Sequence, residues 1–100
     1  SIAIENIAMG HPAVAEAAVV GVPHAKWTER PLLVVIRAEG KQLEKDEMLA
    51  WLNGKIASWW MPDDVVFVDA IPHTATGKIK KVDLRRQFAD HRLPIFTADR

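Results

Sequence analysis

The sequence predicts an α+β domain in which helices pack on a small mixed or antiparallel sheet of about three strands. Short apolar, β-branched runs alternate with an amphipathic segment of helical period. Pro and Gly residues bound most of these runs. The chain has 100 residues, of which 49% are hydrophobic and 26% charged, which is typical of one soluble globular domain. The predicted order of elements is α-β-β-α-β-α.

Local residue patterns predict each element. A small, β-branched run and a continuous apolar run predict two strands that can pair antiparallel, the second of them buried on both faces. Apolar residues at three- and four-residue steps predict the second helix, in which Gly54 costs about 1 kcal/mol relative to Ala. The second strand, this helix and the third strand can form a right-handed crossover. The predicted ranges are a helix at 3–10, a strand at 15–22, a loop at 23–30, a strand at 32–36, a turn at 38–41, a helix at 46–59, a strand at 64–68 and a helix at 82–89, with no clear pattern and fraying expected over 92–100.

Composition narrows the functional classes. The formal net charge is zero, so no strong global field attracts nucleic acid or an anionic membrane. Cysteine is absent, which excludes disulfides and thiol nucleophiles in this chain and suits a cytoplasmic protein. No apolar run reaches the roughly 18–20 residues of a membrane span, and no secretory signal opens the sequence. The chain begins without Met inside a patterned segment, which predicts a piece of a larger polypeptide.

Residues 69–81 place one lysine on a loop that is bounded by Pro and rich in Thr and Gly. Pro72 ends the preceding strand and removes a backbone donor, and Gly77 permits a φ angle that other residues resist. Thr74 and Thr76 offer hydroxyls for local turns or for phosphate oxygens. Lys78 carries a compact charge on a long stem, suited to neutralising a phosphate or carboxylate. A solvated turn with a surface lysine is the alternative interpretation.

A nucleotide-binding P-loop does not fit this segment. That motif requires a Gly five residues before the Gly-Lys pair and a Ser or Thr directly after it. Pro72 and Ile79 occupy those two positions. The lysine loop therefore needs another interpretation.

The same segment resembles the catalytic-lysine motif of the adenylate-forming enzymes, the superfamily of acyl-CoA synthetases, luciferases and peptide-synthetase adenylation domains. That motif reads Pro, a basic or polar residue, Thr, two variable residues, Gly, Lys, an apolar residue and a basic residue. Residues 72–80 match it in order. Nearly the whole chain shares the resemblance. Residues 4–6 and 11–23 resemble the part that follows the family's hinge, residues 63–68 resemble the strand before the lysine loop, and residues 84–86 match the basic tail.

The resemblance implies a two-step reaction in a larger enzyme. A carboxylate attacks the α-phosphorus of ATP, and a thiol, usually that of CoA, then displaces AMP. Residues 1–100 would be the C-terminal lid domain, with Lys78 as the adenylation lysine on the loop of Thr76 and Gly77. The partner would be the N-terminal domain of the same polypeptide. ATP, CoA and Mg²⁺ are expected in the full-length enzyme, none of them bound to this domain alone. The isolated chain is expected to be inactive.

Further expectations concern substrate and regulation. Residues 27–31 and 59–64 look most like fatty-acyl-CoA ligases, which implies a fatty acid. The alternatives are an aryl or short-chain acyl-CoA ligase and a peptide-synthetase adenylation domain. Lys55 is a candidate for contact with a CoA phosphate. The alternative interpretation is that it lies on a solvated helix face. Some family members are switched off by acetylation of the equivalent lysine, which makes a protein acetyltransferase acting on Lys78 a candidate partner.

A different class, a basic nucleic-acid-binding or interaction module, rests on one cluster of cations. Asp83 and Asp90 interrupt this basic stripe, and the neutral chain weakens the interpretation, so no nucleic-acid partner is predicted. The members of the basic stripe are Lys78, Lys80, Lys81, Arg85 and Arg86.

The remaining polar and aromatic candidates are given structural roles. The four histidines are far apart and no carboxylate cluster accompanies them, so no metal site is predicted. Glu29 and Arg30 are predicted to brace the loop between the first two strands. Trp59 and Trp60 are candidates for a CoA or partner surface. The alternative interpretation is that at least one of them packs in the core. The histidines are His11, His24, His73 and His91.

Overall fold

A computed structural model describes residues 2–24, 28–57 and 60–91 of the chain. Within these residues the chain forms three helices and three strands, in the predicted order. The α+β class is therefore confirmed. The elements are α1 (Ile2–Met9), β1 (Val14–His24), β2 (Thr28–Arg37), α2 (Lys45–Leu52), β3 (Asp64–Phe67) and α3 (Lys81–Gln87).

The sheet is mixed, with β2 in the centre and the strand order β1-β2-β3. The first two strands pair antiparallel with Val19 opposite Leu33, as predicted. The pair β2 and β3 is parallel, with Val34 opposite Val66. A parallel pair needs a crossover connection, which α2 provides. Among the described residues, β1 has a strand neighbour on one side only, so the backbone groups on its other edge are available to side chains of other elements.

Two hydrophobic clusters cover the two faces of the sheet. Alternate residues of a strand point to opposite faces, and the continuous apolar run of β2 accordingly divides between the clusters. Leu33 and Val35 join a cluster with α1 and α2. Leu32 and Val34 join a second cluster of buried residues, which also contains Leu84 of α3. The prediction that β2 is buried on both faces is confirmed.

The predicted loop at residues 23–30 is too long. β1 continues to His24, and β2 already begins at Thr28, where the two residues pair. Polar residues such as Glu29 and Arg30 belong to β2 because the antiparallel ladder extends past the apolar run. Only residues 25–27 separate the strands, and they lie outside the described residues.

The predicted second helix is also too long. Helix α2 ends at Leu52, so Gly54 is not inside it. Gly54 has a φ of 85° and lies just after the C-cap Asn53. A glycine in this left-handed conformation is a common helix stop. The later part of the predicted helix includes Trp59, which lies outside the described residues, as does the predicted frayed segment 92–100.

Among the described residues, no helix combines the length and apolar character that a membrane crossing requires.

Candidate functional site

Residues 72–80 form a short β-hairpin with Lys78 at its tip. His73 pairs with Ile79 as an isolated antiparallel bridge. The Lys80 amide donates to the Pro72 carbonyl oxygen at 2.8 Å, and the Thr74 amide donates to the Lys78 carbonyl oxygen at 2.7 Å. These bonds give the two sides of the segment a fixed register. We call this segment the lysine hairpin.

The turn of the lysine hairpin depends on Gly77. The Gly77 amide donates to the Thr74 carbonyl oxygen at 3.0 Å, and Gly77 has a φ of 87°. A three-residue hairpin loop with Gly in the left-handed position is a common turn. Apart from its chain neighbours, no described residue has an atom within 4 Å of where a Cβ on Gly77 would lie. The backbone conformation, rather than lack of space, is therefore what favours glycine here.

The two threonines organise the turn from within. The Lys78 amide donates to Thr74 Oγ1 at 3.2 Å, and the hydroxyls of Thr74 and Thr76 lie 2.9 Å apart. Such side chain to backbone bonds are typical of Thr in turns. Thr76, Gly77 and Lys78, predicted as parts of one loop, are thus adjacent on one ordered turn.

The base of the lysine hairpin is anchored to the domain. Ile71, just before it, is 4% exposed in the second cluster, and Ile79 packs against that cluster. His73 Nε2 lies 2.7 Å from Glu16 Oε2 on β1. The tip is different, since residues 74–78 are all exposed. The hairpin is therefore fixed at its base and extends into solvent at its tip.

Lys78 is free to meet a group outside the domain. Within residues 2–24, 28–57 and 60–91, no hydrogen bond or ion pair joins its ammonium to another side chain. An exposed ammonium on a fixed turn can contact an anionic group at short range without first breaking an internal ion pair. The arrangement suits charge neutralisation on a carboxylate or phosphate supplied from elsewhere.

Lys55 lies on the other side of the sheet. Its ammonium donates to the Trp51 carbonyl oxygen at 2.8 Å and lies 4.2 Å from the centroid of the Trp51 ring. Trp51 packs on the cluster formed by α1 and α2, whereas the lysine hairpin packs on the α3 side. The structure therefore does not bring Lys55 and Lys78 together. Lys55 follows α2, in the turn after Leu52, and is exposed.

Trp60 is half exposed, at 51%. It lines an open concavity of about 510 Å³ together with residues of β1 and β2 that include Gly21, Arg30 and Pro31. Lys78 does not line this concavity. Trp60 is therefore not packed in the core. Trp59 lies outside the described residues.

Each of the three histidines whose side chain the structure describes has a polar partner within the domain. His11 Nδ1 accepts from the Ala13 amide at 3.0 Å. His91 Nε2 lies 2.8 Å from Asp64 Oδ2, and His73 contacts Glu16. Nowhere in the described part of the chain do three or more His, Asp or Glu side chains gather as metal ligands would.

The basic stripe is largely paired with acidic residues. Lys81 contacts Glu5, and Arg85 contacts Glu29. Lys80 Nζ lies 4.0 Å from Asp83 Oδ2. This pairing reduces the positive charge that the stripe can offer to a nucleic-acid backbone, which weakens that alternative further.

Glu29 and Arg30 form ion pairs with residues outside the predicted loop. Arg30 Nε donates to Asp63 Oδ1 at 2.8 Å, where the Asp63 side chain is 1% exposed. Arg30 thus holds the segment before β3, and Glu29 reaches Arg85 on α3. Both residues therefore brace the domain. The prediction that they brace the loop between the first two strands is wrong, because their partners lie before β3 and on α3.

Sequence reasoning missed a contact between Glu5 and Lys81. In the sequence, Glu5 belongs to the segment 4–6 that resembles the family, and Lys81 belongs to the basic stripe. No sequence pattern relates the two residues to each other. The available signal was a carboxylate in a mostly apolar helix, on which it lies between the buried Ile4 and Ala8. A carboxylate placed there needs a partner.

Comparison with known proteins assigns the family. The profile of the AMP-binding enzyme C-terminal domain matches residues 3–78. Over 90 residues, 90% of this chain, the sequence is 58% identical to a 3-methylmercaptopropionyl-CoA ligase of Ruegeria pomeroyi, and the match covers 17% of that protein. Over 91 residues, 91% of this chain, it is 44% identical to a long-chain-fatty-acid–CoA ligase of Thermus thermophilus, again covering 17% of the relative.

A solved structure agrees with these relatives. Apo MatB from Rhodopseudomonas palustris matches 87% of this chain and 17% of its own, with a TM-score of 0.83 and 39% identity. The chain belongs to the AMP-binding enzyme C-terminal domain family, which confirms the resemblance noted in the sequence. It spans about 17% of the length of the acyl-CoA ligases to which it is similar.

Proposed function

We propose that residues 1–100 are the C-terminal lid of an ATP-dependent acyl-CoA ligase and that Lys78 is its adenylation lysine. The observation that carries the proposal is the exposed Lys78, whose ammonium has no partner among the described residues, on an ordered hairpin in a domain of this family. The partner is a larger N-terminal domain of the same polypeptide, which holds ATP and the acid. The lid alone supplies the cation and not the rest of the site, so we expect the isolated chain to be inactive.

The proposed role of Lys78 belongs to the first half-reaction. An oxygen of the substrate carboxylate attacks the α-phosphorus of ATP and forms the acyl-adenylate. The bond from that phosphorus to the bridging oxygen breaks, and pyrophosphate leaves with the electron pair. The Lys78 ammonium contacts both carboxylate and α-phosphate and stabilises the negative charge there. Removing one such donor typically costs about 10²–10³-fold in rate.

The second half-reaction makes a different demand. The CoA sulfur attacks the acyl carbon and AMP departs, so the α-phosphorus is no longer the reacting centre. The opposite placement of Lys55 and the lysine hairpin supports the proposal that the two faces of the lid serve different steps. Contact of Lys55 with a CoA phosphate remains a proposal. Mg²⁺ is proposed to act together with ATP in the full-length enzyme, as the family resemblance implies.

The acid is proposed to be aliphatic. The resemblance implies a fatty acid, and the 44% identity to a long-chain-fatty-acid–CoA ligase supports it. The 58% identity to a 3-methylmercaptopropionyl-CoA ligase makes that short thioether acid the first compound to test. Exposure of Lys78 also leaves it accessible to a protein acetyltransferase, and acetylation removes the charge that the reaction needs.

The test separates the two half-reactions in the full-length enzyme that contains this chain. Lys78→Ala is expected to slow pyrophosphate release with ATP and acid by about 10²–10³-fold. Thioester formation from supplied acyl-adenylate and CoA should change by less than about threefold, because Lys78 has no proposed role there. Rates are compared for 3-methylmercaptopropionate and for medium- and long-chain fatty acids.

The matched control is Lys41→Ala, which removes an exposed lysine from the connection between β2 and α2. It should leave both half-reactions unchanged. Equal loss of both half-reactions in Lys78→Ala would refute the assigned role of this lysine.

A further inference from the structure

A charged pair contacts the outer edge of β1 at Val19. Val19 lies on this edge strand, opposite Leu33 of the neighbouring strand. Its amide donates to Glu5 Oε2 at 2.7 Å, and its carbonyl oxygen accepts from Lys81 Nζ at 2.7 Å. Lys81 also donates to Glu5 Oε2. Three groups from α1, β1 and α3 thus close a ring of hydrogen bonds, which we call the edge clamp.

The edge clamp is protected from water on the Glu5 side. The Glu5 side chain is 9% exposed, and the Lys81 side chain is 39% exposed. Removing one partner from a buried charge pair leaves the other charge unpaired, which is costly. The clamp therefore holds the start of α3 against β1 more firmly than an exposed ion pair could.

The start of α3 is also the end of the lysine hairpin. Lys81 is the first residue of α3 and follows Lys78 by three positions. Directly before it, the Lys80 amide donates to the Pro72 carbonyl oxygen at 2.8 Å. The other side of the hairpin is joined to β1 through His73 and Glu16. Both sides of the hairpin are therefore fastened to the same edge strand.

We propose that the edge clamp orients the lysine hairpin, so that Glu5 and Lys81 are positioning residues for adenylation. This inference rests on the proposed role of Lys78. Glu5 and Lys81 act through the backbone at the base of the hairpin, and neither touches the reacting atoms. Small errors in the placement of a catalytic group can cost large factors in rate, up to about 10²-fold for 1 Å. Loss of the clamp therefore affects the step that uses Lys78.

The experiment measures both half-reactions of the full-length enzyme in Glu5→Gln and Lys81→Met. Glu5→Gln keeps the shape of the side chain and an oxygen for the Val19 amide, but it removes the charge that pairs with Lys81. We expect each variant to lower the adenylation kcat by about 10-fold. KM for ATP and acid, and the rate of thioester formation, should stay within about twofold. Lys81→Arg should retain most of the adenylation rate.

The double variant tests whether the two residues act as one unit. Glu5→Gln combined with Lys81→Met should lose about as much as either single variant, since residues of one network are not additive. Multiplied losses in the double variant would overturn the clamp. So would equal losses in both half-reactions, which indicate a merely structural role, or an unchanged adenylation rate. Trp fluorescence of each variant confirms that it is folded before rates are compared.

Lys78→Ala and Lys41→Ala are measured in parallel to separate this inference from the proposed function. If Lys78→Ala leaves adenylation intact, the role of Lys78 fails, and the clamp has no step to serve. If Lys78→Ala abolishes adenylation selectively but the clamp variants do not, only the edge clamp is overturned.

Discussion

The central strand and the lysine hairpin are stabilised in different ways. In β2, Leu32, Leu33, Val34 and Val35 are each 0% exposed, and apolar contacts on both faces of the sheet hold them. In the lysine hairpin, residues 74–78 are exposed, and backbone hydrogen bonds with one left-handed glycine define the turn. The buried strand contributes strongly to the free energy of unfolding. The exposed hairpin contributes little to it and leaves a cation available to another molecule.

The difference separates stability from the proposed activity. Removal of buried side chains from β2 should change the free energy of unfolding, whereas removal of the exposed Lys78 side chain should change adenylation and leave unfolding almost unaffected.

Leu33→Ala should destabilise the chain by about 2–5 kcal/mol, because it removes buried methyl groups and leaves a cavity next to α1 and α2. Leu33 is 0% exposed and belongs to the first hydrophobic cluster. Urea unfolding of the 100-residue chain, followed by Trp fluorescence, measures the change. Lys41→Ala is the control and should shift stability by less than about 0.5 kcal/mol. A similarly small shift for Leu33→Ala would contradict the account of the core.

Gly77→Ala and Gly54→Ala form a matched pair. The two glycines have φ angles of 87° and 85°, and in the described part of the chain only their chain neighbours come within 4 Å of where a Cβ would lie. Each substitution should therefore cost about 1–2 kcal/mol through backbone strain alone. Only Gly77→Ala should also slow adenylation in the full-length enzyme, since only Gly77 precedes Lys78. Equal effects of both variants on adenylation would show that the turn has no special role.

Arg85→Gln should have the smallest effect. The pair of Arg85 with Glu29 has side-chain exposures of 53% and 47%. Exposed ion pairs typically contribute about 0–1 kcal/mol and are screened by salt. We expect a loss of less than about 1 kcal/mol in urea unfolding at low salt, which disappears at about 1 M NaCl. A larger loss that is independent of salt would place Arg85 among the core-stabilising residues.

The sequence predicts well the features that short segments determine. The continuous apolar run of β2 predicts a strand buried on both faces, and the Pro-to-Lys spacing identifies the family. Element ends are predicted less well, because they depend on pairing. Thr28 and Glu29 join β2 only because β1 lies opposite them. Helix α2 stops before Gly54, although the apolar period continues beyond it.

Contacts between distant segments could not be read from the sequence. Glu5 and Lys81 are 76 positions apart, and their contact requires α1, β1 and α3 to be packed already. The local pattern shows a charge on an apolar helix but does not identify its partner. The same holds for His73 and Glu16, which are 57 positions apart. The geometry at the base of the lysine hairpin therefore comes from the folded structure alone.

The most direct test of the central claim is a ratio measured on one variant. In Lys78→Ala of the full-length enzyme, the adenylation rate divided by the rate of thioester formation is compared with the same ratio in the unsubstituted enzyme. We predict that this ratio falls to about one hundredth or less, because one exposed cation serves one step. A ratio that stays near its original value would contradict the account.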